Sequence, residues 1–169
     1  MIQRLRVPLG FVVAAAVFYF ATPSTFSLGL GTPIALTGAI FRALAAGVIK
    51  KDSQLATTGV YAWTRNPLYF GSFMLALGFA VMSWNPVASA LLLIPFIAIY
   101  SKVILKEEAH LLRLFPEQFP TYRSKVPKFF PQIRGLRLSF SASQYFANRE
   151  YNTLLGFAGA MGILFLKTR

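Results

Sequence analysis

Five apolar runs, at residues 7–21, 28–49, 67–82, 87–105 and 153–166, decide what this chain can fold into. Polar or basic residues bound each run, and Arg42 and Lys102 are the only charges inside them. As a helix rising about 1.5 Å per residue, the second run reaches roughly 33 Å and can cross a hydrocarbon core of about 30 Å. The first reaches only about 22 Å, so Arg4 and Arg6 have to snorkel at its edge. In lipid a segment must satisfy its own backbone hydrogen bonds, which leaves the α-helix for runs of this kind. With 56% hydrophobic and 13% charged residues among 169, the sequence predicts an all-α polytopic membrane protein, a single domain over residues 1–169. About five transmembrane helices are expected, the last preceded by an amphipathic segment within 132–169.

Charge sets the orientation. The formal net charge is +12, but the basic residues bracket the apolar runs and do not form a stripe on a polar domain. Anionic lipid headgroups are therefore the expected counter-charge, and no nucleic acid is. With the N-terminus inside, the positive-inside rule places Arg4, Arg6, Lys50, Lys51, Arg65 and the basic residues of 102–149 on the cytoplasmic side, of the inner membrane if the source is bacterial. All five acids, Asp52, Glu107, Glu108, Glu117 and Glu150, fall on that side too. The chain has no cysteine and one histidine, His110. No disulfide framework, thiol nucleophile or metal-ligand set is expected from such an inventory.

Polar chemistry converges on the loop that opens the third run. Asn66 before Pro67 predicts an N-cap accepting a backbone N–H, followed by proline at the first helical position. Arg65 adds a fixed cation to a helix N-terminus, which suits a carboxylate or phosphate. The plainer alternative is that Arg65 marks the cytoplasmic end of a membrane helix. Ser83-Trp84-Asn85-Pro86 reads as a tight turn, making the third and fourth runs an antiparallel hairpin. Arg65 lies 19 residues before Trp84 and Glu107 lies 22 after Asn85, so the two arms return these charges to one depth. Adjacent helical residues point about 100° apart, so one of Glu107 and Glu108 faces the site and the other turns to Arg42, Arg113 or solvent. Arg42 either snorkels or faces the bundle and pairs with a carboxylate or an anionic ligand group. Prolines at 116, 120, 127 and 131 exclude a long helix there. Arg65, Glu107, Glu108, Tyr61, Tyr69, Tyr122, Trp63 and Arg123 remain as a set that can hold a zwitterion, cation to carboxylate and glutamate to ammonium.

Gly59-Val60-Tyr61, Arg65-Asn66-Pro67-Leu68-Tyr69, an apolar hairpin tipped by Asn85-Pro86, Glu107-Glu108-Ala109-His110-Leu111, and Tyr122 with Val126-Pro127 and Pro131 follow one another in this order. Together they resemble the isoprenylcysteine carboxyl methyltransferase and phospholipid methyltransferase superfamily, over residues 38–131. That family usually has Gly-Pro-Tyr and Arg-His-Pro-x-Tyr in the first motif; here Val60 replaces the proline and Asn66 the histidine.

The resemblance implies an integral membrane enzyme that binds S-adenosylmethionine near the cytoplasmic helix ends and methylates a lipophilic acceptor, carboxylate or amine, reached from the bilayer. It implies cofactor contacts from Tyr61, Arg65, Asn66, Pro67, Leu68, Tyr69, Glu107 and Glu108. Methyl transfer from a sulfonium needs alignment and a desolvated acceptor more than a strong base. Glu107, Glu108 or Tyr122 can take a proton from an amine acceptor, and Arg123 or Arg42 can orient an acidic one. Two other classes compete: a sterol-reductase-like membrane enzyme using NADPH, and a non-catalytic membrane scaffold.

Overall fold

The computed structural model describes residues 12–50, 52–133, 135 and 139–168, and among them every regular element is helical. Helix α1 covers residues 12–20; the part of the first apolar run before residue 12, with Arg4 and Arg6, lies outside the described residues. Helix α2 is Thr25–Ala46, entered through a capping box in which the Ser24 hydroxyl accepts from Ser27 N and the Ser27 hydroxyl from Ser24 N. A short 3-10 turn, Gly59–Ala62, precedes α3, Pro67–Ser83. Trp84, in the left-handed conformation, ends α3, and Asn85 caps α4, Pro86–Leu114, by accepting from the N–H groups of Val87 and Ala88. Helices α5, Phe119–Lys125, α6, Ala142–Ala147, and α7, Tyr151–Leu166, follow. The proline-rich stretch after α4 is broken as expected, with α5 the only helix between residues 115 and 133.

Glycine sets how α2 and α3 pack. A Cβ at Gly38 would lie 2.5 Å from the Gly71 carbonyl oxygen, and one at Gly78 would lie 2.5 Å from Ala35 N. The antiparallel helices therefore meet backbone to backbone, which is how small residues let apolar helices associate. Gly29-Leu30-Gly31 lies inside α2, and Gly31 packs on Gly78 and Met82 as part of this seam.

One end of the bundle is the hairpin tip. There Thr22 N donates to Ser83 O, Ser27 Oγ donates to Met82 O, and the Lys167 ammonium at the end of α7 donates to the carbonyls of Phe18 and Tyr19. Ala21, Leu28, Ala35, Met82 and Leu164 form the core at this end. The other end collects the 3-10 turn, the start of α3, the last turns of α4, and the described residues from α5 to the start of α7.

Two described helices, α2 and α4, are long and apolar enough to cross a membrane. Helices α3 and α7 are apolar but have 17 and 16 residues, and at about 1.5 Å per residue fall short of a core of about 30 Å. The outward faces of α4 and α7 leave Ile94, Ile97, Leu155 and Phe165 at 57–70% exposure. Unpaired apolar faces of this extent suit lipid, not water.

Candidate functional site

A cavity of about 440 Å³ opens at the end of the bundle remote from the tip, within the usual range of roughly 300–1,000 Å³ for small-molecule sites. One wall is the start of α3: Arg65, Asn66, Pro67, Leu68 and Tyr69 all line it. Tyr61 and Tyr122 line it from the 3-10 turn and α5, and Glu107 lines it from α4. The sequence-derived cofactor set thus converges on one space, apart from Glu108, which lies behind the wall. Its carboxylate sits 3.3 Å from Arg65 Nη1 and 3.9 Å from Lys128 Nζ. Adjacent glutamates have divided as helical geometry requires, Glu107 toward the cavity and Glu108 toward Arg65.

The Arg65–Glu108 pair is buried, with side chains 9% and 8% exposed, and poorly satisfied. Arg65 Nε, Arg65 Nη1 and Glu108 Oε1 have no hydrogen-bond partner among the described residues. The 3.3 Å approach is therefore charge attraction without hydrogen-bond alignment. Arg65 is thus a buried, poorly hydrogen-bonded guanidinium at a cavity wall.

Asn66 departs from its expected role. Its side chain does not cap α3; the amide Nδ2 donates to Lys128 O at 2.9 Å. That carbonyl belongs to a strap of residues 127–133 and 135 laid along the Arg65 loop. Arg65 N donates to Pro127 O, Thr64 Oγ1 to Phe129 O, Gln132 N to Trp63 O and Trp63 Nε1 to Gly135 O, all at 2.9–3.0 Å. Trp63 is held by this strap and packed on Phe41, outside the cavity lining.

Tyr122 donates its hydroxyl proton to Tyr61 O at 2.7 Å, fastening α5 to the 3-10 turn. Burial pushes the Tyr122 hydroxyl well above the ordinary tyrosine value, with Arg65 opposing and Glu108 adding to the rise. Burial does the same at Tyr61, reinforced by Tyr122 and Glu107. Both phenols are neutral near pH 7. Arg123, one residue from Tyr122, points the other way: it is exposed on α5 and does not line the cavity.

Three contributors were not singled out from sequence. The 49–56 loop supplies further lining through Ile49, Lys50, Asp52, Gln54 and Leu55. His110 lines the cavity and its Nε2 lies 3.0 Å from Asp52 Oδ1, linking α4 to that loop. The signal for His110 was present, since it follows Glu107 by three residues on one helix and so shares its face. Glu150, the third, is the carboxylate that Arg42 finds: Arg42 Nε and Nη2 donate to its two oxygens at 2.7 and 2.9 Å. Arg42 therefore faces the bundle and does not snorkel.

A family model described as phospholipid methyltransferase matches residues 9–118. The chain is similar to protein-S-isoprenylcysteine O-methyltransferase of Schizosaccharomyces pombe, 32% identical over 124 residues that cover 69% of this chain and 52% of that protein. It is also similar to the cobalt-zinc-cadmium resistance protein CzcN of Cupriavidus metallidurans, 32% identical over 136 residues covering 76% and 62%. To human protein-S-isoprenylcysteine O-methyltransferase it is 33% identical over 90 residues, covering 53% and 32%. The chain thus spans 52–62% of the length of the first two of these relatives. The family match contains Arg65, Glu107 and Glu108, and ends before Tyr122, the strap and Glu150.

Proposed function

The chain belongs to the phospholipid methyltransferase family, and from that premise we propose that it transfers a methyl group from S-adenosylmethionine to a lipophilic acceptor at the membrane interface. The observation that carries this reading is the buried, under-satisfied Arg65 at the cavity wall, faced by Glu107. A cation short of acceptors and a free-standing carboxylate across one space complement the carboxylate and ammonium of an amino-acid moiety. When bound, S-adenosylmethionine supplies an electrophilic methyl group on a sulfonium.

The protein's part is binding, alignment and exclusion of water. Arg65 and the uncapped first turn of α3 hold the carboxylate end. Glu107 holds the ammonium, Glu108 with Lys128 keeps Arg65 in place, and Tyr122 keeps Tyr61 against the cavity. Tyr61 and Tyr69 offer ring faces to positive charge. A carboxylate acceptor needs no base; an amine acceptor gives its proton to His110. Arg123, away from the cavity, belongs to the basic surface that meets headgroups.

Access from the bilayer is supported by a run of rings between α3 and α4. Tyr69, at the cavity, lies 5.4 Å from Tyr100, which stacks at 4.2 Å on Phe96, and Phe96 leads to Phe73 and Phe129. With charge clustered at this end, the site lies on the cytoplasmic side, and α1, α2, α3, α4 and α7 make five crossings, the lipid thinning around the shorter helices. The test is transfer of a labelled methyl group from S-adenosylmethionine into total lipid and hydrophobic small-molecule extracts by purified protein. Label in an extractable product, absent with Arg65→Ala, is expected. No S-adenosylmethionine binding, or binding of NADPH in its place, overturns the reading.

A further inference from the structure

Glu150 is a buried carboxylate, 7% exposed, outside both the cavity lining and the family match. It grips Arg42 with both oxygens, and the remaining nitrogen of that arginine is taken as well. Arg42 Nη1 donates to Ser72 Oγ at 2.5 Å and approaches Leu68 O at 3.5 Å, while Ser72 Oγ donates to Leu68 O at 2.9 Å. Arg42 reaches this position only because residue 71 has no side chain: a Cβ on Gly71 would lie 2.6 Å from Arg42 Cγ. The same junction is tied a second time, where Asn148 Nδ2 donates to the carbonyls of Ala46 and Ile49. One segment thus fastens the first turn of α3 and the start of the 49–56 loop, both of which line the cavity.

Stability alone does not account for such a pair, because well-packed apolar residues generally serve a buried site as well as an ion pair does. What a bidentate, fully shared guanidinium adds is fixed geometry. We propose that Glu150 is a positioning residue which, acting through Arg42 and Ser72, sets the first turn of α3 for ligand, so that the α6–α7 junction belongs to the binding unit. This rests on the cofactor reading above.

The test uses the full chain in detergent or nanodiscs, with S-adenosylhomocysteine as probe, and reads affinity by calorimetry beside thermal melting. Glu150→Gln is expected to raise Kd about tenfold, the size usual when a group that orients a binding element is lost. Glu150→Asp, which keeps the charge, recovers part of that loss. Ser72→Ala removes one link and no charge, and raises Kd by about three- to tenfold, as for one net hydrogen bond. It decides the matter if Glu150→Gln does not fold. A lowered melting temperature with wild-type Kd in both Glu150→Gln and Ser72→Ala would mean a structural tie only and overturns the proposal. Wild-type protein that fails to bind the probe overturns the cofactor reading and this one together.

Discussion

Two buried arginines stand at the same end of this bundle, and they are finished differently. Arg42 spends every nitrogen on protein: two on Glu150, one on Ser72 and Leu68. Arg65 is more deeply buried, 9% against 22% exposed at the side chain, yet its Nε and Nη1 have no hydrogen-bond partner among the described residues, Glu108 lying 3.3 Å from Nη1 as an ion pair only. Burial without hydrogen bonds costs free energy that a purely structural residue would not retain. On the function proposed above, the contrast separates a brace from a receptor: Arg42 holds the helices in register, and Arg65 is the proposed receiver of an anion.

The sharpest way to break this contrast is to remove one partner of the receptor pair. Arg65→Ala leaves Glu108 buried with only Lys128 at 3.9 Å, and is expected to cost about 3–5 kcal/mol in reversible unfolding while eliminating cofactor binding. Glu108→Gln, by the same logic, lowers the melting temperature and weakens S-adenosylhomocysteine. Glu107→Gln weakens the ligand without moving the apo-protein's melting temperature, because Glu107 faces the cavity and Glu108 faces Arg65. If the two glutamine variants behave alike, the division between them is wrong.

The brace is attacked from its other side by Gly71→Ala, whose Cβ has to displace Arg42 or the Gly38 backbone; a loss of about 1–3 kcal/mol in thermal stability is expected. Gly159→Ala is the control: it has no neighbour within 4 Å on α7, and the alanine should be neutral or stabilising by up to about 1 kcal/mol. Tyr122→Phe deletes the bond to Tyr61 O and should cost about 0.5–1.5 kcal/mol. Its pH signature follows from the raised folded value. Native Tyr122 holds its proton more tightly than the unfolded chain does, so this stability is whole below about pH 10 and is lost as pH rises beyond it. Alkaline melting curves should therefore fall less steeply for Tyr122→Phe than for wild type. Smallest is Arg123→Ala, exposed and outside the cavity, with an expected change within about 0.5 kcal/mol and unaltered ligand affinity.

The receptor was legible in the sequence and the brace was not, for a physical reason. Arg65 and Glu107-Glu108 are set by helical rise on the two arms of one hairpin, so counting residues from Trp84 brings them together. Arg42 and Glu150 are 108 residues apart and joined through no regular element, so a carboxylate partner for Arg42 could be anticipated but not which one. Asn66 and Asn85 make the same point locally. Each precedes a proline at the head of an apolar run, and only Asn85 caps its helix. Asn66 meets Lys128 O on a strap that has no periodicity to reveal it. On sequence alone Arg123 can orient an acidic acceptor, but adjacent helical residues face about 100° apart, and of the two neighbours Tyr122 lines the cavity and Arg123 does not.

The central claim, that Arg65 is a receptor kept ready by the rest of this end of the fold, is tested most directly by melting the solubilised protein with and without S-adenosylhomocysteine, wild type against Arg65→Lys. Lysine keeps a cation for Glu108 but not the guanidinium fork. The wild type should gain about 2.7 kcal/mol when ligand is at about 100 times its Kd, and Arg65→Lys should melt cooperatively with little or no gain. An equal gain in Arg65→Lys, or none in the wild type, would contradict the account.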